Sequence, residues 1–199
     1  MNHLKQDIIN GDHALEELVV GNGRYVDLKQ KHPNQTFRRR EELSNGQQPF
    51  AVILGCADSR VPPEIIFDRG LGDLFIVRVA GNVINDMILG SIEYAANHLH
   101  VPLIVVLGHS KCGSVQAAIQ GVSGQGHIAC LTEALQPALN EAKEQPGDLA
   151  NNAARANAKI VAEQLKCSKP VLADLVSEGK LNVVPAFYDL DTGVVEILS

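Results

Sequence analysis

Tryptophan is absent from the 199 residues, and five Phe and three Tyr bring the aromatics to 4%, so the core must be aliphatic, built from Val, Ile, Leu and Ala. No apolar run comes near the ~20 residues that a bilayer crossing takes, which argues against a spanning helix. The N-terminal stretch MNHLKQDIINGDHALEEL lacks the apolar segment of a secretory signal and carries too many acids for a transit peptide. A cytoplasmic chain is expected. Basic excess is also missing: the net charge of −6 argues against nucleic acid as a principal partner, since phosphate binding needs a basic surface. The run Arg38-Arg39-Arg40 is answered by Glu41 and Glu42 and reads as a solvated helix face. Four cysteines do not make a disulfide framework in a chain of this size. Cys130 and Cys167 sit in Ala/Leu-rich helical surroundings without ligand-spaced neighbours and are expected to be buried structural thiols.

What is present is a repeated grammar. Ala51-Val52-Ile53-Leu54 is a continuous apolar run of the kind found in strands buried on both faces. It stops at Gly55 and leads into Cys56, Asp58 and Arg60. Fifty residues on, Leu103 to Leu107 repeats the pattern, stops at Gly108 and meets His109 and Cys112. Packing gives no reason to gather a thiol, a carboxylate and a guanidinium beyond one strand and an imidazole and a thiol beyond another. A metal site does. Cys56, His109 and Cys112 are the soft and borderline donors that zinc prefers, and three protein ligands leave the fourth tetrahedral position open, as in catalytic sites.

The rest of the pattern is α/β. Residues 2–20 read as a helix with Leu4, Ile8, Leu15 and Leu18 broadly on one side and a break at Gly11, too polar for a core helix and suited to an arm over another surface. A second helix is expected over 35–45, ended by Asn45-Gly46. Pro62-Pro63 opens a short helix, Leu74 to Val79 is a strand, and Asn85 caps a helix reaching about Leu99. Helices follow over 114–121, 128–145 and 149–166. Another starts at Ser168-Lys169-Pro170, and two strands, 181–187 and 194–198, meet through Asp191-Thr192-Gly193. Alternating strands and helices predict a mostly parallel sheet with flanking helices, one domain over 1–199 with residues 1–46 as an N-terminal helical arm.

Cys-Ala-Asp-Ser-Arg at 56–60 with His-Ser-Lys-Cys-Gly at 109–113 resembles the β-class carbonic anhydrases, and the likeness continues through VPPEIIFDRGLGDLFIVRVAGN and SIEYAANHL. The resemblance implies one Zn2+ per chain and reversible hydration of carbon dioxide to bicarbonate, with zinc-bound hydroxide as nucleophile. Zinc held by two thiolates and a neutral imidazole is formally neutral. It is therefore a weaker acid for its water than the three-histidine zinc of other carbonic anhydrases, whose water has a pKa of ~7. Compensating charge must be close by, and Asp58 paired with Arg60 is the candidate catalytic dyad. By resemblance alone, Gln47 hydrogen-bonds substrate, the Gly113 N–H faces it, and Phe75, Ala80 and Tyr94 line the carbon dioxide pocket. Many members carry valine where this chain has Ala80. For Phe75 and Tyr94, ordinary core packing is an equal alternative. The resemblance also implies a homodimer or homotetramer with sites where subunits meet. In members inhibited allosterically by bicarbonate a tryptophan helps form the effector site, so the tryptophan-free chain is expected to keep Asp58 on Arg60 at neutral pH. Two other readings keep the ligands. One turns the site to carbon disulfide or carbonyl sulfide, and the other makes the zinc structural or regulatory with Asp58 as its fourth ligand.

Overall fold

The computed structural model describes residues 10–121 and 126–199, so Leu4, Ile8 and most of the glycine-rich break after Gly121 lie outside the described residues. Helix α1 (Gly11–Val26) starts where the Asn10 side chain accepts the His13 N–H at 2.9 Å. Gly11 therefore begins a helix that was expected to break there. Ala14 and Leu18 are buried with Leu15 beside them, against Ile53, Ile66, Phe67 and Val105. Gly21 packs so closely that a Cβ would run into the Phe67 carbonyl. The buried Asn22 side chain donates to the Ile66 and Gly193 carbonyls and accepts from the Val195 N–H. Over its described residues, the N-terminal element packs on its own sheet through Ala14 and Leu18. Helix α2 (Phe37–Leu43) buries none of its residues.

Strand β1 (Ala51–Gly55) leads through α3 (Pro63–Ile66) to β2 (Leu74–Arg78), and α4 (Asp86–Glu93) leads to β3 (Leu103–His109). Asn85 caps α4 as the pattern predicts, accepting the Ile88 N–H, but the α-helix stops at Glu93 and Tyr94–His98 form a π-helical turn instead of running on to Leu99. Next come α5 (Gly113–Ile119), α6 (Ile128–Ala134), α7 (Gln136–Ala142), α8 (Leu149–Lys166) and α9 (Val171–Ser177). The single helix expected over 128–145 is two, divided at Leu135 ahead of Pro137. At α9 the N-cap is Pro170 with no side-chain hydrogen bond, so Ser168 is not the cap. Strands β4 (Asn182–Tyr188) and β5 (Val195–Ile197) close the chain.

The sheet order is β2-β1-β3-β4-β5, parallel except for β5. Alternation in the two central strands decides the layers. Val52, Leu54, Ile104 and Val106 face the larger core, with α8 and its neighbours. Ala51, Ile53, Leu103, Val105 and Leu107 face the smaller one under α1 and α3. Because β2 and β3 lie on opposite sides of β1, the chain reverses its winding between β1 and β3. Crevices beyond carboxyl ends at such a reversal hold the sites of open α/β sheets.

Asp68 ties the α1–α2 connection to the end of α3. Asp68 is 3% exposed, and its carboxylate accepts from the N–H groups of Lys31 and His32 at 3.0 and 2.9 Å and pairs with the Arg24 guanidinium. Burial pushes its pKa up, but the Lys31 N–H and the Arg24 bond, with the other donors, outweigh that and leave it lowered. A depressed folded pKa stabilises the fold above the unfolded value and is lost as pH falls through the folded one. Asp68→Asn is expected to cost about 3 kcal/mol at neutral pH, with the gap to wild type closing below about pH 4. Urea melts of both proteins across pH measure this, and a pH-independent gap would contradict it.

Candidate metal centre

Gly55 at the end of β1 is level with Leu107 of β3, so the chain leaves both strands side by side. Cys56 follows Gly55, His109 is the last residue of β3, and Cys112 is the N-cap of α5 after a turn in which Lys111 adopts φ 56°. All three are buried, and their donor atoms lie within 4.8 Å of one another. The His109 Nδ1 stands 2.9 Å from the Ser110 carbonyl, which can only accept, so Nδ1 carries the proton and Nε2 keeps its lone pair. That Nε2 is buried and has no hydrogen-bond partner. A buried imidazole lone pair without a partner, facing two thiols, is what a zinc ion would satisfy. The thiols point the same way. A hydrogen bond from Cys112 draws the Cys56 pKa down, and the same contact pushes Cys112 up, so without an ion the two sulfurs share one proton. A cation takes that proton's place.

Arg60 Nε and Nη2 donate to the two oxygens of Asp58 at 2.9 and 2.7 Å, and the Arg60 backbone N–H donates at 3.0 Å. The Arg60 hydrogen bond holds the Asp58 pKa down to about 2. Asp58 is therefore ionised and turned to its arginine, and it is not one of the converging donors. Arg60 Nη2 also donates to the Lys111 carbonyl at 3.1 Å, joining the two ligand loops. Arg78, at the end of β2, donates to the carbonyls of Cys56 and Asp58 at 2.8 and 2.6 Å. The Gly81 N–H donates to the Cys56 Sγ at 3.3 Å. Sequence reasoning did not single out Arg78 or Gly81, although a lone arginine closing the strand LFIVR was a readable signal.

The carbonic anhydrase family model matches residues 51–195, from the first residue of β1 to the first of β5. The chain belongs to the β-class carbonic anhydrases. The family is zinc-dependent and its reaction is the reversible hydration of carbon dioxide to bicarbonate and a proton. This carbonic anhydrase is 40% identical to carbonic anhydrase 2 of Mycobacterium tuberculosis over 184 residues, covering 90% of this chain and 89% of that one. It is 38% identical to the carbonic anhydrase of Mycolicibacterium smegmatis, covering 94% and 92%. Among solved structures, the β-carbonic anhydrase CcaA superposes with a TM-score of 0.74 at 26% identity, covering 93% of this chain and 95% of that one. A tetrameric β-carbonic anhydrase of Sordaria macrospora gives 0.72 at 25% identity, covering 93% and 96%.

Among the remaining candidate residues of this carbonic anhydrase, Gly113 directly follows Cys112 and Ala80 precedes Gly81, whereas Gln47 lies apart from the ligands. Ala80 opens the 3-10 turn Ala80–Asn82, half-buried, and the exposed Gly113 is the first residue of α5. Phe75 is half-buried, and Tyr94, 47% exposed, lies against it with ring centroids 6.3 Å apart, so Tyr94 is not a core aromatic in this protomer. Gln47 is exposed beside an open cavity of about 610 Å³ walled by Arg40, Leu43, Ser44, Gly46, Leu71 and Gly72, a lining that includes none of the three ligands. Cys130 and Cys167 are exposed, against expectation: Cys130 lies on the outer side of the short α6, and Cys167 is the C-cap of α8, beyond its buried stripe. Among the described residues no helix is long and apolar enough to cross a membrane.

Proposed function

We propose that this chain works as a cytoplasmic homodimer or homotetramer, one domain per chain over 1–199. In this reading Cys56, His109 and Cys112 hold one zinc and Asp58 and Arg60 direct the reaction beside it. The observation that carries the reading is the unpartnered, buried Nε2 of His109 among two buried thiols. Zinc, when bound, supplies Lewis acidity that lets water ionise near neutral pH. Asp58 accepts a hydrogen bond from the nucleophile's proton, and its ionisation and direction are fixed by Arg60, so a lone pair is aimed at carbon dioxide. Phe75, Ala80 and Tyr94 give the uncharged substrate an apolar wall. The Gly113 N–H, lacking a partner in the first turn of α5, suits a product oxygen. The ligand-spaced, unpaired thiols favour a reducing compartment.

A second copy of the chain completes the pocket. An exposed Tyr94 against Phe75, and Gln47 beside a cavity away from its own ligands, are what a partner subunit would cover and use. Sedimentation is expected to show a dimer or tetramer at assay concentrations, and a fully active monomer would overturn this arrangement. For the reaction itself, stopped-flow hydration rates are expected to rise in proportion to zinc content from the emptied to the reloaded protein. Zinc-loaded protein without hydration activity at neutral and alkaline pH would leave the ion a structural role.

A further inference from the structure

Two thiolates weaken the acidity of a zinc ion, and Asp58 with Arg60 is one source of compensation. A second lies inside the protein, on α8. Asn157 is 3% exposed on a helix face otherwise filled by Ala150, Ala153, Ala154 and Val161. An apolar face of small residues has no packing use for an amide there. Its Nδ2 donates to the Gly81 carbonyl at 2.9 Å, across 76 residues of sequence.

Gly81 is held in the left-handed region, φ 72° and ψ 14°, inside the turn that follows β2. A Cβ there would meet the Ser114 Cβ at 3.2 Å and Leu135 at 3.3 Å, so glycine answers both the dihedral and the space. The turn is fixed on its other side by Val79. The Val79 N–H donates to Gly55 at 3.1 Å, and its carbonyl accepts from Ala57 at 3.3 Å and from Asn82 at 2.9 Å. Asn157 and Val79 hold the two ends of the Gly81–Asn82 peptide, its carbonyl and its N–H, and the left-handed dihedrals of Gly81 then set the preceding peptide, whose N–H, that of Gly81, lies on the Cys56 Sγ.

We propose that Asn157 is a positioning residue for the metal centre: by holding the Gly81 carbonyl it keeps the Gly81 N–H on the Cys56 thiolate, drawing off part of the charge that this sulfur would otherwise give to the ion. The inference rests on Cys56, His109 and Cys112 as the ligands. An N–H on a ligating thiolate lowers the energy of the sulfur electrons, leaves the metal more electron-poor and so favours ionisation of its water. It answers the charge problem of a two-thiolate site with a backbone dipole, where a cation next to the sulfur would compete with the ion.

The test uses cobalt and cadmium in place of zinc in the whole protein. In the cobalt-loaded Asn157→Leu variant the sulfur-to-cobalt charge-transfer band is expected to move to longer wavelength, and the metal is expected to pass to a chelator more slowly than from wild type, because the sulfur now gives the ion its full charge. In 15N-labelled wild type loaded with 113Cd, the Gly81 amide proton is expected to couple to cadmium through the Sγ. A purely structural Asn157 would lower the melting temperature of the variant and leave both band and release rate where they were. That result overturns the proposal, as does the absence of the Gly81–cadmium coupling in wild type. Should Asn157→Leu not fold, Asn157→Ser, which is too short to hold the Gly81 carbonyl, takes its place under the same two readouts. A wild-type chain that takes up neither metal would instead overturn the ligand assignment.

Discussion

Replacing Cys112 with serine is expected to empty the site, lowering hydration activity by at least ~10³-fold, because ionising water near neutral pH depends on the ion. Cys112 supplies one of three donors, is buried, and shares its proton with Cys56. A serine hydroxyl keeps its proton at any accessible pH and is a harder, poorer zinc donor than a thiolate, so His109 and Cys56 are left to hold the ion alone. Zinc per chain measured after dialysis, beside a circular-dichroism spectrum, separates loss of metal from loss of fold. Full occupancy in Cys112→Ser would show that another residue is the third ligand.

The dyad gives the second large effect, and its two members should not fail alike. Asp58→Ala is expected to keep zinc and lose activity by ~10–100-fold, the usual scale for a group that orients what a metal holds. Arg60→Ala should do more damage. Arg60 satisfies both oxygens of Asp58 and also holds the Lys111 carbonyl of the other ligand loop. Freed from the guanidinium, an ionised carboxylate two residues after Cys56 becomes a rival for the open metal position. The double variant Asp58→Ala/Arg60→Ala is then expected to recover to the level of Asp58→Ala, a non-additivity that independent contributions would not give. X-ray absorption of the zinc in Arg60→Ala should report an added protein oxygen. Wild-type rates in that variant would remove Arg60 from the mechanism.

The candidate metal ligands were legible because their chemistry is scarce and local. Sulfur and imidazole two residues beyond buried aliphatic runs, Cys56 after Leu54 and His109 after Leu107, have few other uses, and the runs themselves announced β1 and β3. The boundaries of α1 and α4 were less legible. A glycine can open a helix as well as interrupt one, as Gly11 does, and nothing in SIEYAANHL separates α from π hydrogen bonding over Tyr94–His98. Cys130 and Cys167 were misplaced because helical windows rich in alanine do not say which face is covered. Arg78, Gly81 and Asn157 escaped for a different reason. What they do is defined by partners 20 to 76 residues away, a relation that exists only once β2 lies beside β1 and α8 lies over the sheet.

The ladder between β1 and β3 carries a consequence for the order of events when the protein is made. The candidate ligands lie at or just beyond the ends of two strands whose pairing, Val52 to Gly55 against Ile104 to Leu107, is made by backbone hydrogen bonds and aliphatic packing. In the unfolded chain, Cys56 and the His109/Cys112 pair are separated by a loop of some fifty residues, so they offer no preassembled chelate. An ion would thus arrive late, in a finished socket. Apoprotein should persist as a folded store, competing for metal at the ends of two strands that are already paired.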